Sequence, residues 1–216
     1  MSFTAKAIIF DCDGVVVDSE PLIFQATKQV FRKYGVDLQR QDVLEGIGAG
    51  SKYVSDPREK YNLSRVSVED LMKARSEAYQ ALADKDLRAK EDVLPFLRWL
   101  KDRAFLTGLA SSSPNTMVRR SLSSAKVDPE LFDKIVDGDS IQRKKPAPDV
   151  FLKASDLLGV PPKSCLVIED APPGIQAALA AGMKCVAITG SVPTERLSSA
   201  DLVIDRFEEL KVHLRQ

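Results

Sequence analysis

A parallel α/β sheet with helices on both faces, interrupted near its start by an all-helical insertion, is the architecture this sequence predicts. Three observations carry it. Ala5 to Phe10, close to the N-terminus, is short, apolar and rich in β-branched or aromatic residues, as a buried strand is. From Val93 onward, apolar runs alternate with helical patterns, the signature of strands paired in parallel through helical crossovers. Between these two parts the chain carries helical periodicity and no candidate for a buried strand.

The elements follow in order. After the Ala5 to Phe10 strand, helices are expected over Pro21 to Gly35, Asp42 to Ile47 and Val68 to Leu82. The turn from Glu91 to Pro95 would return the chain to the sheet. Strands are expected at Phe105 to Ala110, Cys165 to Ile168 and Cys185 to Ile188, and helices at Val93 to Lys101, Asn115 to Ala125, Ala147 to Leu158 and Gly174 to Ala181. The expected domains are an α/β core of residues 1–18 and 89–216 and a helical cap of residues 19–88.

Composition narrows the function. Lys and Arg total 31 and Asp and Glu total 31 in 216 residues, so no charge excess points to a nucleic-acid or membrane-surface partner. No apolar run approaches the roughly 20 residues that span a bilayer, and the N-terminus leads directly into the first strand without a secretory leader. Cys12, Cys165 and Cys185 lie in or beside apolar runs and read as packed thiols. A cytoplasmic, monomeric protein acting on a small molecule is the expectation.

In open parallel sheets, ligands gather beyond the C-terminal strand ends. Asp11-Cys12-Asp13-Gly14 follows the first strand. Alternation points Asp11 and Asp13 the same way and turns Cys12 into the core. Two adjacent carboxylates suit a hard divalent cation such as Mg²⁺, although Asp and Gly are also ordinary turn residues. Ser111-Ser112-Ser113-Pro114-Asn115 joins a strand to a helix and offers hydroxyls and free N–H groups to a phosphate, or an N-cap to the helix. Arg143-Lys144-Lys145-Pro146 precedes another helix and reads either as an ammonium for phosphate charge or as an exposed basic turn. Glu169-Asp170 ends a strand; as neighbours they should face opposite ways, one toward a metal and one behind it.

In this order and setting the four segments resemble the haloacid-dehalogenase superfamily, and the resemblance runs the length of the chain. It implies a Rossmann-like core and, because Asp13 is present, phosphoryl transfer rather than dehalogenation. The insertion resembles the helical cap of the phosphatase and β-phosphoglucomutase branch. By that resemblance Asp11 would be the nucleophile and Asp13 the general acid and base. Ser111 and Lys145, with Ser112, Ser113 and Asn115 beside them, would hold the phosphoryl group. Mg²⁺ would be bound by Asp11, the Asp13 carbonyl and Asp170, with Glu169 assisting. Ala171 stands where relatives often carry a serine or similar polar residue.

Water as acceptor gives a phosphatase; a sugar phosphate gives a mutase. β-Phosphoglucomutases carry a gating histidine at the position of Ile23, which cannot hold a proton, and the sole histidine is His213. A Mg²⁺-dependent sugar-phosphate phosphatase is therefore expected, with a mutase as the alternative. In the cap, Gly46 to Lys52 occupies the place of the family's specificity loop. Lys52 and Arg75 are candidate anion contacts, while Arg75 also reads as a solvated residue, and Tyr53 and Tyr79 as ordinary packing. The glycines of this loop follow no strand, which excludes a dinucleotide fingerprint.

Overall fold

The computed structural model describes residues 2–215. The chain forms two compact units: one comprises the segments that end at Asp18 and resume at Arg88, the other is Ser19–Leu87.

The first unit begins with β1 (Phe3–Thr4) and β2 (Ala7–Phe10). The second unit contains α1 (Glu20–Arg32), α2 (Lys52–Lys60) and α3 (Val68–Asp86). The first unit resumes with α4 (Val93–Asp102), β3 (Leu106–Ala110), α5 (Asn115–Ser124), β4 (Lys134–Val136), α6 (Asp149–Leu158), β5 (Cys165–Glu169) and α7 (Pro172–Ala180). It closes with β6 (Lys184–Ile188), β7 (Leu202–Ile204), α8 (Phe207–Leu210) and β8 (Leu214–Arg215).

Six strands form one parallel sheet in the order β4-β3-β2-β5-β6-β7, and β1 pairs separately with β8. β2 and β5 are buried along their whole length, as strands are when helices cover both faces. The chain leaves β2 toward β3 and β4, then crosses to β5 on the other side of β2. That reversal opens a crevice at the C-terminal ends of β2 and β5, where such sheets bind ligands. Phe10 pairs with both Leu109 and Ile168, so the register sets the residues after all three strands at one level. The Asp11 N–H extends the ladder by donating to the Ile168 carbonyl at 3.0 Å. Beneath this tip, the Phe10 ring packs 6.1 Å from Phe96, 6.1 Å from Phe132 and 6.2 Å from Phe207.

Several expectations need correction. The chain re-enters the first unit at residues 88–90 rather than at Glu91 to Pro95: Asp18 N–H donates to the Arg88 carbonyl, and Lys90 N–H to that of Val16. Asp42 to Ile47 forms two short 3₁₀ turns, Arg40–Asp42 and Leu44–Gly46, instead of a helix. The glycines that follow leave too few residues to propagate one. The unforeseen α2 contains Pro57, which breaks the usual helix signal; burial of Tyr53, Val54 and Pro57 on one side overrides that propensity. β4 and β7 are three residues each, too short to stand out as periodic runs.

Within the second unit, the Tyr53 hydroxyl donates to Glu20 Oε1 at 2.6 Å, and the Arg40 guanidinium lies 3.8 Å from the same oxygen. Burial and the Glu20 charge push the Tyr53 phenol well above its ordinary range. Tyr53 is thus more than packing, whereas Tyr79 is buried as expected. Among the described residues, no helix is long and apolar enough to cross a membrane. All three cysteines are buried and free of disulfides.

Phe10→Ala should lower unfolding free energy by about 3–5 kcal/mol, measured by urea denaturation. A loss below 1 kcal/mol would place the core elsewhere.

Candidate active site

The site grows from the tips of β2, β3 and β5. Asp11 stands one residue beyond β2 and is 7% exposed. Glu169 is the last residue of β5, and Asp170 follows it. One carboxylate oxygen from each of Asp11, Glu169 and Asp170 lies within 4.8 Å of the others. The expectation that Glu169 and Asp170 face opposite ways is therefore not met. Asp170 lies past the end of the strand, just before α7, where strand alternation no longer applies.

A single buried ammonium sits against this cluster. Lys145 Nζ donates to Asp11 Oδ1 and to Glu169 Oε1, the latter at 2.6 Å, and lies 4.7 Å from the centre of the Phe151 ring. Its side chain is 8% exposed, whereas Lys144 is exposed to solvent, so the doubled lysine resolves in favour of Lys145. Glu169 is held on both sides, because its Oε2 accepts the N–H groups of Asp170 at 2.9 Å and Ala171 at 3.2 Å.

The electrostatics follow from burial. Burial raises the Asp11 carboxyl most and Glu169 and Asp13 add to it, while Lys145 opposes them; the balance pushes Asp11 up to about 7. For Lys145, burial works against the charge, but Asp11 and Glu169 outweigh it and hold the ammonium above the ordinary lysine range. Three carboxylates against one ammonium leave an excess of negative charge in a desolvated place. All the donors are hard oxygens, the set that suits Mg²⁺ or Ca²⁺ rather than a soft metal. The residues present fit a divalent cation in both charge and chemistry.

Gly14 makes room for this cluster. Its φ is +77°, and a Cβ there would lie 1.8 Å from Asp170 Oδ2. No other residue fits.

The remaining expected residues divide into three groups. Ser111 is buried at the tip of β3, and its Oγ accepts the Ser113 N–H at 3.1 Å. Ser113 does not cap α5; its hydroxyl donates to Asp13 Oδ2 at 3.3 Å, tying the serine loop to the first acidic segment. Ser112 lies between them, half-buried. Asn115 is drawn elsewhere: its N–H donates to Asp139 Oδ2 at 2.8 Å and its side-chain amide to Asp137 Oδ2 at 2.7 Å. Asp139 thereby takes up an N–H that the sequence assigned to phosphate. Lys52 and Arg75 belong to the second unit, Lys52 exposed at the start of α2 and the Arg75 guanidinium 5.4 Å from the Tyr53 ring centre.

The buried carboxylate of Glu20 escaped sequence reasoning. As the first residue of α1 it looks like an ordinary acid favoured by the helix dipole. Its partners Tyr53, 33 positions away, and Arg40 mark it as something else.

Comparison with known proteins agrees with this geometry. The family model described as haloacid dehalogenase-like hydrolase matches residues 8–188. The chain is 34% identical to β-phosphoglucomutase of Bacillus subtilis, over 97% of this chain and 93% of that one. It is 30% identical to hexitol phosphatase A of Escherichia coli, over 96% and 94%. Protein SUPPRESSOR OF QUENCHING 1 of Arabidopsis thaliana is 32% identical over 90% of this chain, which spans only 19% of that relative's length. The crystal structure of CbbY from Rhodobacter sphaeroides in complex with phosphate superposes with a TM-score of 0.79 at 26% identity, covering 95% of this chain and 96% of the other. The chain belongs to the haloacid dehalogenase-like hydrolases, on the branch of the phosphatases and β-phosphoglucomutase.

Replacing Lys145 with Met should lower the stability of the metal-free protein by about 3–5 kcal/mol, because it strands buried carboxylates. Urea unfolding in a chelating buffer above neutral pH measures this; an unchanged midpoint would mean the ammonium is dispensable to the fold.

Proposed function

We propose, with that family membership as premise, that this protein is a Mg²⁺-dependent phosphatase of a small phosphorylated metabolite, a sugar phosphate, working through an aspartyl-phosphate on Asp11. The observation that carries the reading is the buried convergence of Asp11, Lys145, Glu169 and Asp170 at the switch point of the sheet.

Asp11, the Asp13 carbonyl and Asp170 would hold the cation, with Glu169 buttressing Lys145 and the Asp170 backbone. When bound, Mg²⁺ would neutralise phosphoryl charge and keep Asp11 ionised at neutral pH. A carboxylate oxygen of Asp11 attacks phosphorus as the bond from phosphorus to the ester oxygen breaks. Asp13, steadied by the Ser113 hydroxyl, gives its proton to the departing alkoxide. In the second step Asp13 takes a proton from water, whose oxygen attacks phosphorus and releases Asp11 and inorganic phosphate. Ser111 and the Ser112 N–H would hold the equatorial oxygens, and Lys145 would offset their charge. These groups together must supply on the order of 20 kcal/mol, the scale of phosphate-monoester catalysis.

Sugar phosphates are favoured as substrates because one relative is named for hexitol phosphatase activity and another for β-phosphoglucomutase. Water is favoured as acceptor over a second sugar phosphate, because Ile23 offers no proton-carrying group. The second unit would act as the cap, with Lys52 and Arg75 as anion contacts.

Asp11→Asn should abolish turnover of a phosphometabolite panel in the presence of Mg²⁺ while leaving the thermal midpoint near wild type; retained activity would displace Asp11 as nucleophile. With a sugar bisphosphate activator present, a coupled assay should register free phosphate and no isomerised monophosphate. Isomerisation would convert the reading to a mutase.

A further inference from the structure

We propose that Asp137 and Asp139, in the turn after β4, are positioning residues for the serine loop, holding residues 111–115 in the shape that presents the Ser112 N–H to a phosphoryl group. The inference rests on the phosphatase reading, which makes that loop the phosphate seat.

The pairing of β3 with β4 does not stop where the strands do. Inside the sheet, Gly108, Leu109 and Ala110 lie opposite Lys134, Ile135 and Val136. Beyond it, the Ser111 N–H donates to the Val136 carbonyl at 2.9 Å, and the Gly138 N–H to the Ser113 carbonyl at 2.7 Å. Asn115 closes the series: its N–H donates to Asp139 Oδ2 at 2.8 Å and its side-chain amide to Asp137 Oδ2 at 2.7 Å. Residues 136–139 thus run beside the serine loop and bond to every second residue of it. A Cβ on Gly138 would stand 2.3 Å from the Ser112 carbonyl oxygen, so the two segments pack with no room between them.

The two aspartates are themselves braced. Asp137 Oδ1 accepts the Asp139 N–H at 3.1 Å, and the Asp137 carbonyl accepts the Ser140 hydroxyl at 2.8 Å. The oxygen of the Asn115 amide accepts Arg119 Nε–H at 3.0 Å, so that amide is engaged at both ends. A turn held in this way is a template for its neighbour, where an unsupported loop of serines would sample many conformations.

These contacts leave a particular donor open. The Ser111 N–H goes to Val136, the Ser113 N–H to Ser111 Oγ and the Asn115 N–H to Asp139, while Pro114 has none. Among the described residues no acceptor meets the Ser112 N–H, and the buried Ser112 hydroxyl has no hydrogen-bond partner. A donor fixed in advance needs no reordering when an oxyanion arrives. The same frame holds Ser113, whose hydroxyl donates to Asp13 Oδ2 at 3.3 Å. One turn therefore orients both the phosphate seat and the carboxylate proposed to move the proton.

The test is the affinity of the Mg²⁺-loaded full chain for inorganic phosphate by titration calorimetry, alongside the thermal midpoint without phosphate. Asp139 is exposed, so replacing it leaves the core intact. Asp139→Ala should weaken phosphate binding about tenfold, the scale of one hydrogen bond. Asp139→Asn keeps an oxygen that accepts the Asn115 N–H and should bind as wild type does. Loss of charge alone would move both variants together toward tighter binding, which would overturn the assignment. Asp137→Ala and Asn115→Ala should each weaken binding, and the double variant no more than Asp137→Ala, because both break one contact. Additive losses would overturn the role of Asp137. Ser111→Ala is the control. If it binds phosphate as wild type does, the phosphatase reading of this loop itself fails. If it loses binding while Asp139→Ala retains wild-type affinity, the reading stands and the positioning role is overturned. A lower midpoint of Asp139→Ala with wild-type affinity would reduce the turn to packing and overturn it equally.

Discussion

The Lys145 ammonium, buried between Asp11 and Glu169, is the contact on which the site's architecture depends. Charges removed from water need partners close at hand, and this one has two carboxylates and the face of Phe151. It joins the segment before α6 to the tips of two central strands. Those strands are held in register by the parallel ladder between β2 and β5, which brings Asp11 level with Glu169. Yet one ammonium does not neutralise three acids, and Asp11 is left with a carboxyl that titrates near neutrality. What remains is an acidic place suited to a divalent cation.

Rigidity around this cluster comes from the backbone. Glu169 Oε2 accepts two consecutive N–H groups at the start of α7. Gly14 lets the first acidic loop press against Asp170, and Ser113 ties the serine loop to Asp13. The groups expected to act on phosphorus are therefore held before substrate arrives, which is where electrostatic catalysis gains its advantage. The second unit has its own buried polar cluster, Glu20 with Tyr53 and Arg40. Its cost is offset by hydrogen bonds inside that unit.

Much of this was legible in the residues. The buried strands β2, β3, β5 and β6 are apolar runs with few alternative readings, because a strand covered on both faces has no polar side to blur it. The polar residues at their ends stood out for the same reason. Edge strands β4 and β7 were not legible, being too short for periodicity, and α2 was masked by Pro57. The engagement of Asn115 with Asp139 was not legible, because a free helix N-terminus and one taken up by a distant aspartate have the same local sequence.

The sequence by itself determined the kind of chemistry available: acids, hydroxyls and a lysine at strand ends. Those are properties of composition and local order, and they survive any detail of packing. Only the tertiary structure decided which groups act together. It selected Lys145 over Lys144, turned Glu169 and Asp170 toward the same centre, and paired Glu20 with Tyr53. Each of those choices is a contact between residues distant in the chain or a departure from strand alternation. Such choices depend on register, burial and shape, which a linear pattern does not encode.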